Sequence, residues 1–168
     1  MTPPVREGDL EFHFVGAVGV TRVDVQGVKA PQGMQLVDFL VEEKRRALLI
    51  EVKDPSNPNA PERERRAFAK KMSGKKLIDE ELVPKARDSY TYLHLMANDS
   101  KPFLFVVVLG LEELPDQAAQ LAPFKDRLLG RLRHEAEVPW VRQYVTDCIV
   151  ITPERWSTHF PNYALTRK

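Results

Sequence analysis

The sequence predicts an α/β fold in which a mixed central sheet is flanked by helices, and three observations carry that expectation. The run "KPFLFVVVLG" from Lys101 to Gly110 is β-branched and aromatic throughout, bounded by a Lys-Pro and a Gly, the pattern of a strand covered on both faces. Helical periodicity flanks it on both sides, over "DEELVPKARDSYTYLHLMA" (Asp79 to Ala97) and "DQAAQLAPFKDRLLGRLRHEAE" (Asp116 to Glu137). The order along the chain is strands, helix, strand, helix, strand, helix, and such alternation favours a sheet sandwiched between helices. At 168 residues, a single domain over 1–168 is expected.

Each element has a local cause. From Leu10 to Val28, "LEFHFVGAVGVTRVDVQGV" alternates apolar and polar residues, predicting one or two strands that turn at Gly16 to Gly19 and end near Gly27. A hairpin follows from Leu36 to Lys53. The loop "DPSNPNAPERERR" holds three prolines and two asparagines ahead of a basic helix from about Pro61 to Met72. In the next helix Leu82, Ala86, Leu93 and Ala97 share a face, and Pro84 is tolerable only near the first turn. Pro123 starts a second segment of the later helix or kinks it. "YVTDCIVI" (Tyr144 to Ile151) reads as another buried strand, and Thr152-Pro153-Glu154 as the start of a closing helix over "PERWSTHF".

Composition excludes several classes. With 43% hydrophobic and 29% charged residues the chain is ordinary for a globular protein. No apolar run approaches the roughly 18 residues of a membrane span, and "MTPPVREGDLEF" lacks the apolar stretch of a secretory signal, so a cytoplasmic protein without membrane association is expected. One cysteine, Cys148, rules out an intrachain disulfide and sits in the apolar run "CIVI", as a buried inert thiol does. Net charge is +1, so any attraction to nucleic acid must be local; between Glu62 and Lys76 seven basic residues accompany two acidic ones. His13, His94, His134 and His159 are scattered without metal spacing. Trp140, Trp156 and Phe160 either stack on bases or anchor a C-terminal segment.

The hairpin "MQLVDFLVEEKRRALLIEVKD" carries charges where burial is expected. Asp38 lies between Leu36 and Leu40 on its own face, and Glu51 and Lys53 follow Leu49 on theirs. An even-length loop at "EKRR" (Glu43 to Arg46) makes paired positions sum to 89, which sets Asp38 directly opposite Glu51. Opposed residues have Cβ atoms about 4.5–5.5 Å apart. Carboxylates that close stay ionised together only around a cation, and all-oxygen ligation suits Mg²⁺ or Mn²⁺. Lys53 reaches the same place, suited to hold a water or to offset charge building on phosphorus.

Asp38, then at a spacing of thirteen Glu51-Val52-Lys53 on the next strand, resembles the PD-(D/E)XK, or restriction-endonuclease-like, nuclease superfamily, over about residues 34–110. The resemblance implies a restriction-endonuclease-like core and metal-dependent hydrolysis of DNA, in preference to RNA. It assigns Asp38, Glu51 and the Val52 carbonyl to the metal and Lys53 to the attacking water. It also implies a basic residue on the following helix, for which Lys85 is the choice; the concentration of positive charge between Glu62 and Lys76 adds Lys70 and Lys71 as expected nucleic-acid contacts. Val37 stands where the family has Pro. The family's N-terminal helical acid has no motif here; Glu7 and Glu11 are the nearest candidates, then Asp24. Rival readings stay open: an inactive nuclease-like binding or structural module, or a subunit of a larger nucleic-acid-processing complex. With no room for a separate DNA-reading domain, a homodimer or a protein partner is expected.

Overall fold

The computed structural model describes every residue except Met1, Gln26 and Lys29. Two sheets form. The larger has five strands in the order β3 (Gly19–Arg22), β4 (Phe39–Glu42), β5 (Ala47–Lys53), β6 (Phe103–Leu109) and β7 (Asp147–Ile151). β3, β4 and β5 pair antiparallel, whereas β5, β6 and β7 pair parallel, so the sheet is mixed. The smaller sheet is antiparallel, with β2 (Leu10–His13) between β1 (Val5–Glu7) and β8 (Ala164–Arg167).

Parallel pairing of β5 and β6 requires a crossover, supplied by α1 (Glu62–Ser73), a π-helical turn (Leu77–Leu82) and α2 (Val83–Leu95). α3 (Pro115–Ala118) and α4 (Leu121–Arg133) cross from β6 to β7; Pro123 sits in the first turn of α4, where its missing N–H is harmless. A 3₁₀ turn (Pro153–Arg155) and α5 (Trp156–His159) follow β7. No helix among the described residues is long and apolar enough to cross a membrane.

The period-two alternation of the central strands feeds two cores. Leu40, Leu49, Phe105 and Val107 face the helices, packing on Leu82, Ala86, Phe124 and Leu128. Phe39, Leu48, Ile50 and Val106 face the small sheet, packing on Phe12, Phe14 and Trp156. Every residue of β6 is buried, as its unbroken apolar run requires. Trp156 and Phe160 are anchors in this second core, with ring centroids 4.6 Å apart, while Trp140 stays exposed between α4 and β7. Cys148 is buried, and burial pushes its thiol up to about 11.

The N-terminal reading needs correction. β2 and β3 do not pair with each other; Gly16, at φ +84°, lets the chain cross from the small sheet to the large one. β3 ends at Arg22, short of Gly27, and Gln26 lies outside the described residues. β4 begins at Phe39 rather than Leu36, because the preceding backbone is held by α2: Gln35 N–H donates to Asp88 Oδ2 and Val37 N–H to Ser89 Oγ, each at 2.9 Å. The C-terminal β8 carries no pattern that predicts a strand. It is fixed by pairing with β2 and by Arg167, which donates to Asp54 at 2.8 and 3.0 Å. Gly110 makes room for that contact, since a Cβ there would lie 1.9 Å from Asp54 Oδ1.

Candidate metal centre

The predicted register is the observed one. Phe39 pairs with Ile50 and Leu40 with Leu49, so one further step sets Asp38 against Glu51. Glu43 N–H donates to the Arg46 carbonyl at 2.8 Å, closing the even-length turn that fixes this pairing. Both carboxylates are buried on the helical side of the sheet, Asp38 at 7% exposure and Glu51 at 1%.

Their surroundings differ. Asp38 Oδ2 accepts the Val52 N–H at 2.8 Å, so this side chain completes the β5 backbone where the β4 ladder has ended. Burial raises the Asp38 carboxyl to about 6 despite that bond. Glu51 Oε1 lies 3.3 Å from the Lys53 ammonium and 3.3 Å from that of Lys85, whereas Glu51 Oε2 is buried with no hydrogen-bond partner among the described residues. Burial, with repulsion from Asp38 added, raises Glu51 to about 7 against the pull of the two lysines. Lys53 O accepts the Gly110 N–H on the β6 side. Strand carbonyls alternate edges, so the Val52 carbonyl points the other way, towards the Asp38 edge.

Helix α2 brings the rest. Pro84 has no N–H for the Glu80 carbonyl, which instead accepts Gln35 Nε2 at 3.3 Å, and Val83 N–H reaches back five residues to Ile78. On this widened turn Glu81 faces Lys53, its Oε2 2.9 Å from the ammonium, and its Oε1 takes Lys71 of α1 at 2.6 Å. Burial works against the Lys53 charge, but Glu51 and Glu81 outweigh it and raise its pKa. Burial likewise opposes the Glu81 charge, and Lys71 and Lys53 outweigh it, lowering its pKa.

Of the sequence candidates, Asp38, Glu51, Val52, Lys53 and Lys85 therefore meet at one place. Lys71 reaches it through Glu81. Lys70 stands exposed on the last turn of α1 without an ion-pair partner among the described residues. Among the acidic candidates of the N-terminus, Glu7 and Asp24 line an open 590 Å³ cavity with Asp38, and Glu7 is bound to Arg22 at 2.9 Å. Glu11 is taken up elsewhere, by Arg6, His13 and Lys168. A second open cavity, of 340 Å³, lies on the other side, walled by Lys53, Phe68, Lys71 and Glu81. Histidines take no part in the cluster: His13 bonds Glu11, and His94 bonds Asp99 at 2.5 Å.

Glu81 is the residue that sequence reasoning missed. A faint signal existed, since Glu81 and Lys85 are four apart and share a helix face. What aims both at β5 is the widened turn, whose Glu80 carbonyl accepts Gln35 from a distant segment. Comparison with family models, with curated proteins and with solved structures finds no match for this chain.

Proposed function

We propose that the chain is a metal-dependent nuclease that hydrolyses DNA phosphodiester bonds on a restriction-endonuclease-like core of the PD-(D/E)XK type, acting in the cytoplasm. The observation that carries this reading is the pair of buried carboxylates on one face, with Glu51 Oε2 left without a partner among the described residues. A buried carboxylate oxygen costs about 1–3 kcal/mol or more when unpaired, so a fold does not keep one for stability. The donors fit Mg²⁺ or Mn²⁺: Asp38, Glu51 and the Val52 carbonyl are all oxygens, few enough to leave places for water and phosphate. Such an ion, when bound, supplies Lewis-acid polarisation of the phosphodiester and a more acidic water. Lys53 then stands beside the metal ligands to orient the attacking water and to offset charge growing on phosphorus. Lys85 meets the phosphate, and Lys70 and Lys71 follow the backbone on α1. Recognition of a longer DNA segment falls to a second copy or a protein partner.

A second reading has its own observations. Lys53 and Lys85 already neutralise Glu51, Asp38 serves the Val52 N–H, and among the described residues no group of three or more Asp, Glu, His or Cys side chains is arranged to hold a metal. A nuclease-like binding or structural module without cleavage would look like this.

Cleavage of plasmid and short duplex DNA with Mg²⁺ or Mn²⁺ separates the two. The nuclease reading expects wild-type cleavage and a loss of roughly 10²-fold or more in Lys53→Ala, with Mn²⁺ and DNA affinity nearly intact. A wild type that cuts no DNA or RNA with either metal, beside a Lys53→Ala variant that melts well below it, makes the lysine a structural partner and the second reading correct.

A further inference from the structure

Four rotatable bonds place the Lys53 ammonium relative to its backbone, so proximity in sequence to Glu51 does not fix where the charge sits. Two carboxylates do. Glu51 Oε1 holds the ammonium from the sheet at 3.3 Å, and Glu81 Oε2 holds it from the helix layer at 2.9 Å. The Glu51 contact is the one a metal ion would compete for, because the same carboxylate is the proposed ligand. The Glu81 contact is independent of the metal. Glu81 is itself fixed from the far side by Lys71 at 2.6 Å, and its backbone is set by the π-helical turn that Pro84 and Gln35 maintain.

From this geometry we infer that Glu81 is the positioning residue for Lys53, holding its ammonium at the reaction site when the divalent ion occupies Glu51. The inference rests on the nuclease reading. Glu81 touches neither Asp38 nor the orphaned Glu51 oxygen; its partners are the two lysines, one on β5 and one on α1. It thereby links the basic helix to the lysine that serves the water. Charge is the working feature: a carboxylate accepts a charge-assisted bond from each lysine, roughly twice as strong as a neutral one. An amide of the same shape accepts through one oxygen only and turns a donor towards the other lysine.

The experiment compares wild type, Glu81→Gln and Glu81→Asp, using a short duplex with Mn²⁺ well below the melting temperature of every variant. Steady-state kinetics is measured beside the ¹⁵N spectrum of the lysine ammonium groups, recorded without DNA and with diamagnetic Mg²⁺ in place of Mn²⁺, with the Lys53 signal identified by its loss in Lys53→Arg. Glu81→Gln should lower kcat by about 10-fold or more while KM and Mn²⁺ affinity change by less than about twofold, because only an interaction made in the transition state is lost. The slowly exchanging Lys53 ammonium signal should vanish in Glu81→Gln and return in Glu81→Asp, with partial recovery of kcat. Wild-type rates in Glu81→Gln, or a Lys53 signal that survives the substitution, overturn the inference alone. A wild type that does not cut at all removes the nuclease reading and this inference with it.

Discussion

Asp38 does two jobs that pull in different directions, and its substitutions separate them. The carboxylate is raised to about 6 by burial, so its charge is unwelcome without a cation, yet its Oδ2 is the acceptor for the Val52 N–H. Asp38→Ala removes the charge and orphans that buried donor, at a cost of about 1–3 kcal/mol. Asp38→Asn keeps an acceptor and removes the charge. Urea denaturation without metal should therefore find Asp38→Ala less stable than wild type and Asp38→Asn equal or more stable, while both bind Mn²⁺ poorly. Equal stability of the two variants would show that the Val52 bond contributes nothing. From sequence, the pairing of Asp38 with Glu51 was legible because strand periodicity and loop parity fix it locally. The Val52 bond was not, because it depends on β4 starting at Phe39, just past Asp38, instead of at Leu36.

Helix α1 illustrates what an element can conceal. Twelve residues long, it buries only Met72, so its charge pattern reads equally well as a solvated face or as a phosphate track. The structure divides the cations by what they touch. Arg65 donates to Pro55 and Asn57 carbonyls and braces the loop, Arg66 pairs with Glu62, and Lys71 pairs with Glu81, leaving Arg63 and Lys70 facing solvent. Substituting Lys70 and Lys71 with Ala should weaken duplex binding about equally across sequences and lower the slope of log affinity against log salt by about one to two, at about 0.9 per phosphate contact. An unchanged slope places α1 away from the nucleic acid. Sequence located this helix to within one residue at each end, since its prolines and charges are local signals. The π-helical turn beyond it was hidden, because Pro84 falls inside a continuous helical pattern and only Gln35, far along the chain, takes up the freed carbonyl.

At the scale of the molecule, the mixed sheet positions the site: β4 and β5 bring two carboxylates together, and the crossover to β6 returns α2 over them with Lys85 and Glu81. The alternation of strands and helices made this layering legible. The small sheet was not, since β1 is only three residues long and β8, four residues long, is fixed by pairing with β2 at the opposite end of the chain. The proposed role of Asp38 and Glu51 as ligands of a divalent cation ties the stability of the fold to pH. Their carboxyls sit at about 6 and about 7 when folded, above their ordinary values near 4, so between about pH 4 and 7 the folded chain binds more protons than the unfolded one. Stability from this pair is therefore highest at acid pH and falls as pH rises, by up to about 1.4 kcal/mol per pH unit for each proton. The proposed divalent ion would bind the deprotonated form and restore that loss where protons no longer compete.

Thermal melting of wild type and Glu51→Gln between pH 4.5 and 8, with and without Mn²⁺, tests this most directly. Without the ion, the two proteins should melt close together at pH 4.5, and Glu51→Gln should melt higher at pH 8, where only the wild type carries the buried charge. With Mn²⁺ at pH 8 the order should reverse, the wild type rising and the variant staying in place, and at pH 4.5 the ion should move neither. Melting curves for the wild type that Mn²⁺ leaves unmoved at pH 8 would contradict the account and return Asp38, Glu51 and the lysines to a buried ion-pair network.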